Sequence, residues 1–113
     1  MKRIRVKERE SDIQKRIVDF LRAHGCIVLV NRSGKGDALL AKYGDKSAKG
    51  SPDLVVALPR KQWNHPDPRT AWIEIKRPGG KQSPAQAEWR RALEAIGHLY
   101  VLAYDVRDVE GLI

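Results

Sequence analysis

The sequence predicts a single mixed α/β domain in which a small sheet is flanked by helices. Segments with the apolar spacing of amphipathic helices occur in both halves of the chain, and short apolar runs typical of strands lie between and after them. A chain of 113 residues is long enough for one hydrophobic core and too short for two ordinary domains. We therefore expect the order helix, strand, strand, strand, helix, strand. Residues 1–9 are predicted to form a basic N-terminal arm and residues 10–113 the domain.

The first helix and the first strand are predicted on either side of a glycine. A helix is expected from Ser11 to His24, because apolar residues recur on one side of it, namely Ile13, Ile17, Phe20 and Leu21. Gly25 ends this helix. The run Cys26–Val30 is continuously apolar and rich in β-branched residues, so we expect a strand that is buried on both faces.

Two further strands are predicted on either side of a proline-rich connection. Residues 31–51 are rich in glycine and basic residues and read as a long loop with one possible helical turn at Ala38–Ala41. The second strand, Leu54–Leu58, follows Pro52. Residues 59–70 contain three prolines and should form a wide loop. The third strand is expected at Ala71–Lys76.

The last third of the chain predicts a helix, a strand and a short helix. Ser83 as the cap, Pro84 at the first helical position and Gln86 three residues after the cap are typical of a helix start. The inward side of this helix is expected to carry Trp89, Leu93 and Ile96, and Gly97 should end it. The fourth strand is predicted at His98–Tyr104 and a last short helix within Asp105–Ile113.

Three charged residues are expected to converge on one face of the sheet. Glu74 and Lys76 lie two residues apart on the third strand and therefore point the same way, whereas Ile73 and Ile75 point to the opposite layer. If the second and third strands are neighbours, Asp53 at the start of one approaches Glu74 on the other. The sequence thus predicts two carboxylates with an amine beside them.

This group has the chemistry of a phosphodiester-cleaving metal site. Carboxylate oxygens suit Mg²⁺ or Mn²⁺, which would polarise a phosphoryl oxygen and acidify a bound water. Lys76 would hold that water in line and offset negative charge on the phosphate. The alternative is that Asp53 only caps a turn, and that Glu74 and Lys76 form an exposed ion-paired face. Taken alone, these three residues favour the alternative.

The charge and cysteine content restrict the class of partner and the compartment. The formal net charge of +8 predicts attraction to a polyanion, although a plain basic surface would have the same composition. Cys26 is the single cysteine, which excludes an internal disulfide and favours a reducing compartment. No stretch is long and apolar enough to span a membrane. We expect a cytoplasmic protein with no membrane partner and no small-molecule cofactor.

Four motifs in a fixed order carry a family resemblance. They are Glu10–Gln14 at the first helix, Gly50–Leu54, Glu74–Lys76, and Ser83–Trp89 leading to Gly97. Together with the predicted element order they resemble the PD-(D/E)XK nuclease superfamily and, more narrowly, the VRR-NUC family. The resemblance covers residues 8–104, nearly the whole chain. It implies a restriction-endonuclease-like core and a Mg²⁺- or Mn²⁺-dependent deoxyribonuclease.

The resemblance also implies roles for individual residues. Asp53, Glu74 and the main-chain carbonyl of Ile75 would bind the metal, and Lys76 would assist the nucleophile. Glu10 in the first helix and Gln86 in the second would join the site, with Glu10 among the metal ligands. Each has an alternative in this sequence. Glu8 competes with Glu10, Ser11 and Gln14 have capping-box spacing that would leave Glu10 outside the helix, and Gln86 could close a capping box with Ser83.

The substrate and the assembly follow from the same resemblance. Stand-alone relatives of this size are similar to phage and bacterial enzymes that act as symmetric dimers on branched DNA such as four-way junctions, a reaction of DNA repair. We therefore expect a homodimer that cuts two strands symmetrically. A non-catalytic nucleic-acid-binding module and a flap, single-strand or restriction-type nuclease are the alternatives. DNA phosphates are expected to contact five basic residues, Arg32, Lys35, Lys49, Arg77 and Lys81.

Overall fold

The computed structural model describes residues 8–31, 49–59 and 69–113, and within them it contains three helices and four strands. In chain order the elements are α1 (Glu10–Ala23), β1 (Ile27–Val30), β2 (Leu54–Leu58), β3 (Arg69–Ile75), α2 (Pro84–Ala95), β4 (Leu99–Ala103) and α3 (Arg107–Glu110). The predicted α/β class and the order of the elements are confirmed. Residues 1–7 of the arm predicted at residues 1–9, and the helical turn predicted at Ala38–Ala41, lie outside the described residues.

The four strands form one mixed sheet in the order β1-β2-β3-β4. The first three are antiparallel neighbours, and β4 pairs parallel with β3. The parallel pairing needs a crossover between the two strands, and α2 supplies it. In the antiparallel β2–β3 register Leu54 lies opposite Ile73. Asp53, just before Leu54, and Glu74, just after Ile73, therefore lie at the same end of the sheet.

One face of the sheet forms the core with α1. Ile13, Ile17 and Leu21 of the helix are fully buried, and they join the core-facing strand residues Leu54 and Ile73. These helical residues are each four positions apart, so they line one side of α1 and meet every second residue of the strands. Burial of large apolar side chains of this kind contributes about 1.5–3 kcal/mol each to folding. The core therefore fixes the strand ends on which the acidic residues lie.

The burial predicted for two elements is wrong. β1 was expected to be buried on both faces, but Ile27 is 70% and Leu29 is 65% exposed, because β1 is an edge strand and α1 covers only the face that carries Val28. On α2, Leu93 is buried as predicted. Ile96 is 74% exposed, because it follows the last residue of the helix and does not continue its inward side.

The start of α1 also differs from one of the sequence alternatives. The helix begins at Glu10, and the carboxylate of Asp12 accepts a hydrogen bond from the backbone N–H of Arg9 at 3.3 Å. A cap at Ser11 paired with Gln14 is therefore wrong, and Glu10 lies inside the helix. Within the described residues no helix has the length and apolar character that would let it cross a membrane.

Candidate active site

Asp53 stands at the end of the sheet where β2 begins, and its side chain is held by β3. Its Oδ2 atom accepts a hydrogen bond from the backbone N–H of Ile75 at 2.7 Å. The carboxylate thus takes the place of a main-chain carbonyl beyond the last β2–β3 pair. One carboxylate oxygen is fixed by this bond, and the side chain is held beside Glu74.

Glu74 is the one charged residue that the structure buries within its described part, and it is only 2% exposed. Its Oε1 atom is buried and has no hydrogen-bond partner among the described residues. Burial, and after it a hydrogen bond with the Asp53 carboxyl and the charge of Asp53, raises the pKa of Glu74 to about 9. A buried carboxyl with one oxygen unsatisfied is costly to folding unless a ligand binds it.

Lys76 lies directly after β3, where the prediction had it inside the strand. Its backbone N–H donates to the carbonyl of Ala103 at 3.0 Å, which continues the parallel pairing with β4 for one more residue. The side chain is half-buried, and its positive charge lowers the pKa of Glu74 against the larger effect of burial. The amine and the carboxylate are therefore electrostatic neighbours, as the spacing predicted.

Gln86 fills both of the roles that the sequence left open. Its Oε1 atom accepts from the backbone N–H of Ser83 at 2.8 Å, while Ser83 Oγ accepts from the Gln86 N–H, so the capping box is formed. Its Nε2 atom simultaneously donates to Glu74 Oε2 at 3.4 Å. The cap and the site contact coexist because an amide has an acceptor at one atom and a donor at the other.

Glu8 and Glu10 have different surroundings in the structure. Glu8 is engaged by the Arg16 guanidinium, at 2.6 and 3.1 Å, in an exposed ion pair. Glu10, at the first position of α1, is exposed, and its negative charge contributes to the raised pKa of Glu74. Of the two, Glu10 is the one whose charge acts on the site.

The turn that carries Asp53 is fixed by Asn31, a residue that the sequence reasoning missed. The Asn31 side chain donates to Ser51 Oγ at 2.7 Å and to the Pro52 carbonyl at 2.9 Å, and its backbone N–H donates to the Asp53 carbonyl at 2.8 Å. An asparagine directly after a strand was the available signal. Its partners lie about twenty residues away in sequence, and only the β1–β2 pairing shows that they meet.

The other side of the same turn rests on α2. Gly50 has a φ of +81° and approaches the first turn of the helix closely, and the indole Nε1 of Trp89 donates to the carbonyl of Lys49 at 3.0 Å. Trp89 was predicted to be a core residue. It is half-buried and holds the turn.

Tyr100 is a second residue that the sequence did not point to. It lies opposite Trp72 in the parallel β3–β4 pair, and its hydroxyl accepts from Gln82 Nε2 at 2.6 Å. Burial, and after it the charge of Glu74, raises the pKa of Tyr100, so the phenol stays protonated. Trp72 is two residues before Glu74 on β3 and shares its face, and its indole nitrogen is buried without a partner among the described residues.

Three of the five basic residues predicted to contact DNA are exposed near this end of the sheet. Lys49 precedes the Asp53 turn, Arg77 follows Lys76, and Lys81 lies just before α2. Arg32 and Lys35 lie outside the described residues. The contact of these basic residues with DNA phosphates stays a prediction.

The oxygen donors at this end of the sheet suit a small divalent cation. Asp53 and Glu74 provide hard ligands, and the unsatisfied Oε1 atom of Glu74 is the kind of group that an ion would complete. Among the described residues no three His, Cys, Asp or Glu side chains are gathered to hold one ion. The role of Glu10 as a ligand therefore stays a prediction.

Comparisons with known proteins bear on the fold of the chain and on its resemblance to nucleases. No family model matches the chain. The putative nuclease p44 of Acyrthosiphon pisum secondary endosymbiont phage 1 is 29% identical over 105 residues, which is 93% of this chain and 91% of that protein. One solved structure of a VRR-NUC domain has a TM-score of 0.62 at 22% identity and covers 91% of each chain. A second, a VRR-NUC domain protein, has a TM-score of 0.63 at 20% identity over 94% of this chain and 85% of the other. The chain therefore has the VRR-NUC fold, and the resemblance predicted from the sequence is confirmed at the level of the fold.

Proposed function

We propose that this chain is a metal-dependent DNA endonuclease that hydrolyses phosphodiester bonds, with branched DNA such as a four-way junction as the preferred substrate. The observation that carries the proposal is the buried Glu74 carboxyl, which has one unsatisfied oxygen and lies beside Asp53 and Lys76. A structural role gives no reason to bury a carboxyl in this state. The relative from a phage is named a putative nuclease, which supports the same activity.

Asp53, Glu74 and the carbonyl of Ile75 would hold a Mg²⁺ or Mn²⁺ ion. When bound, such an ion supplies charge for the phosphoryl oxygen and acidifies a water. Because the Ile75 N–H holds one oxygen of Asp53, the other oxygen would be the one that binds the ion. Its position is fixed before any ligand arrives, which limits the reorganisation needed in the reaction.

Lys76 and Gln86 would act on the groups around the phosphate. The Lys76 amine is close enough to Glu74 to lower its pKa, and in that position it would orient the attacking water and offset charge on the phosphate. Gln86 restrains one oxygen of Glu74 by its amide donor. Lys49, Arg77 and Lys81 would bind the flanking phosphates without reading sequence.

The test is a cleavage assay on four labelled substrates: a four-way junction, a flap, a single strand and a linear duplex. Each is incubated with Mg²⁺, Mn²⁺ or EDTA, for the wild type and for Lys76→Ala. We expect cutting of the junction at symmetric positions that requires the metal and falls by about 10²-fold or more in the variant, since a charge that stabilises the transition state is lost. Arg91→Ala, an exposed basic residue of α2, is the matched control.

The other outcomes decide between the alternatives. Cutting confined to flaps or single strands would retain the nuclease and reject the junction. Sequence-dependent cutting of the duplex would indicate a restriction-type enzyme. Binding without cutting of any substrate, with either metal, would leave a non-catalytic nucleic-acid-binding module.

A homodimer is part of the proposal, and the edge strand β1 offers a surface for it. Ile27 and Leu29 point away from the α1 layer and are exposed. Large apolar residues exposed on an edge strand favour association with another chain. Two copies of β1 can pair antiparallel across a two-fold axis, which would place the two sites symmetrically. This would serve the cutting of two strands.

Replacing Leu29 by glutamate is therefore expected to weaken the dimer by at least about tenfold, because the two-fold axis would bring the carboxylates of the two copies close together on neighbouring strands. Light scattering after size-exclusion chromatography, over a range of protein concentrations, measures the effect. Ile96→Glu is the control, since Ile96 is similarly exposed but lies beyond the end of α2. A dimer that survives the Leu29 change would place the contact elsewhere.

A further inference from the structure

We propose that Gly50 and Trp89 are positioning residues that lock the Asp53 turn onto the first turns of α2. They contact neither substrate nor metal in this proposal. They set the placement of Asp53 relative to Glu74 and Gln86. The functional part of the inference rests on the proposed function, whereas its structural part concerns the chain alone.

Gly50 makes the closest approach between the turn and the helix. A Cβ atom at this position would lie 2.8 Å from the carbonyl carbon and the Cβ of Ala85, and 2.9 Å from the backbone nitrogen of Gln86. Two of these three atoms belong to the helix backbone, which cannot rotate out of the way as a long side chain can. Any larger residue must therefore push the turn and the start of α2 apart.

Trp89 closes the same contact one turn further along the helix. Its indole Nε1–H donates to the carbonyl of Lys49, the residue before Gly50, at 3.0 Å. The glycine permits the approach and the tryptophan holds it. A helix residue thus fixes the main chain of the loop four residues before Asp53.

A shift of the contact between Gly50 and α2 would affect the candidate site through the Asp53 turn and through Gln86 of α2. On the loop side, Asp53 keeps its place through the bond from Ile75 N–H to Oδ2. On the helix side, Gln86 Nε2 reaches Glu74 Oε2 at 3.4 Å, near the limit of a hydrogen bond, so a small shift of α2 would break it. The contact on Glu74 therefore depends directly on the position of α2, and the placement of Asp53 depends on it through the turn that begins at Gly50.

Three variants test the proposal. Gly50→Ala introduces the collision, and Trp89→Phe keeps an aromatic ring but removes the N–H donor. Gly25→Ala is the matched control, because Gly25 has a φ of +84° and a Cβ there meets nothing within 4 Å. The control carries the same backbone strain as Gly50→Ala at the far end of α1, about 20 Å from its first residue. The difference between the two alanine variants isolates the contact with α2.

The first readout is amide hydrogen exchange in the metal-free protein, followed by NMR. The Ile75 N–H reports the placement of Asp53, and the Val56 N–H in the middle of the sheet reports global opening. We expect exchange at Ile75, relative to Val56, to be about fivefold faster in Gly50→Ala and in Trp89→Phe, and unchanged in Gly25→Ala. Equal ratios in all three variants and the wild type would overturn the proposal. If Gly50→Ala fails to fold, Trp89→Phe gives the decision.

The second readout is steady-state cleavage with the metal at saturation. A loss of positioning is expected to lower kcat by about tenfold in Gly50→Ala, with the KM for DNA within about twofold of the wild type. Local loosening at Ile75 without any fall in kcat would reject the functional role. A wild type that cleaves no DNA would count against the proposed function, and the exchange ratios would still decide whether Gly50 and Trp89 position Asp53.

Discussion

Replacement of Asp53 by asparagine is expected to reduce DNA cleavage by at least about 10²–10³-fold, the range typical for loss of one group that stabilises charge in a transition state. Asparagine keeps the size of the side chain and an oxygen that can accept from the Ile75 N–H. It removes only the negative charge. DNA binding should remain within about threefold of the wild type, since affinity for DNA comes mainly from basic contacts with phosphates.

Two further variants make this result specific. Asp53→Ala removes both the charge and the acceptor, so it should lose cleavage and also destabilise the fold by about 1–3 kcal/mol through the unsatisfied Ile75 N–H. Asp19→Asn removes a carboxylate from an exposed ion pair with Lys15 and should leave cleavage unchanged. Cleavage is followed on the junction substrate and binding by anisotropy in EDTA. Undiminished cleavage in Asp53→Asn would exclude Asp53 from the site.

Glu74→Gln is expected to stabilise the metal-free protein at alkaline pH while abolishing cleavage. The wild-type carboxyl is buried with one unsatisfied oxygen, and burial raises its pKa from 4.5 to about 9. Glutamine is neutral at every pH and of nearly the same shape. Removing the ionisation of this group should therefore increase the free energy of unfolding above pH 9 by at least about 1–3 kcal/mol, the scale of a buried polar group without compensation.

The sign of the pH dependence follows from proton binding. Between pH 4.5 and about 9 the folded protein holds the Glu74 proton more tightly than the unfolded chain does, so this group's stabilising effect is complete below pH 4.5 and falls as the pH rises toward 9. Urea unfolding at pH 5, 7 and 9 in EDTA measures the decline. The same series in Glu74→Gln should be flatter.

Glu88→Gln, an exposed carboxylate of α2, is the matched control and should reproduce the wild-type pH series. Excess Mn²⁺ provides a second check, because a ligand that binds only the folded state raises its stability. The increase should occur in the wild type and be lost in Glu74→Gln. Equal slopes in wild type and Glu74→Gln would show that Glu74 does not control the alkaline loss of stability.

Most of the fold could be predicted because core-facing and outward-facing residues alternate along the sequence of the core strands. The alternation through Ile73 and Ile75 identified the core face of β3 and placed Glu74 on the other face, as the structure confirms. β1 was misjudged for a physical reason. A continuous apolar run looks the same whether both faces are covered or one face of an edge strand is left open, and only the strand order distinguishes the two cases.

The candidate site was predictable to the extent that it lies on one strand and its neighbour. Lys76 beside Glu74 follows from a spacing of two, and the approach of Asp53 follows from the antiparallel register. The residues that were missed act across larger separations. Asn31 reaches the Asp53 turn through strand pairing, and Trp89 reaches Lys49 over 40 residues, so no local pattern signals either contact.

The two contacts of Gln86 couple the start of α2 to the candidate site, because one side chain caps the helix and also binds Glu74. The position needs an acceptor for the Ser83 N–H and a donor for Glu74 on the same short side chain. Glutamate would satisfy the cap but has no amide donor for Glu74, while asparagine is one carbon shorter than glutamine. A substitution at this position must therefore meet two requirements at once, the acceptor for Ser83 and the donor for Glu74. A substitution of Gln86 chosen only to stabilise α2 would therefore also change the contact on Glu74.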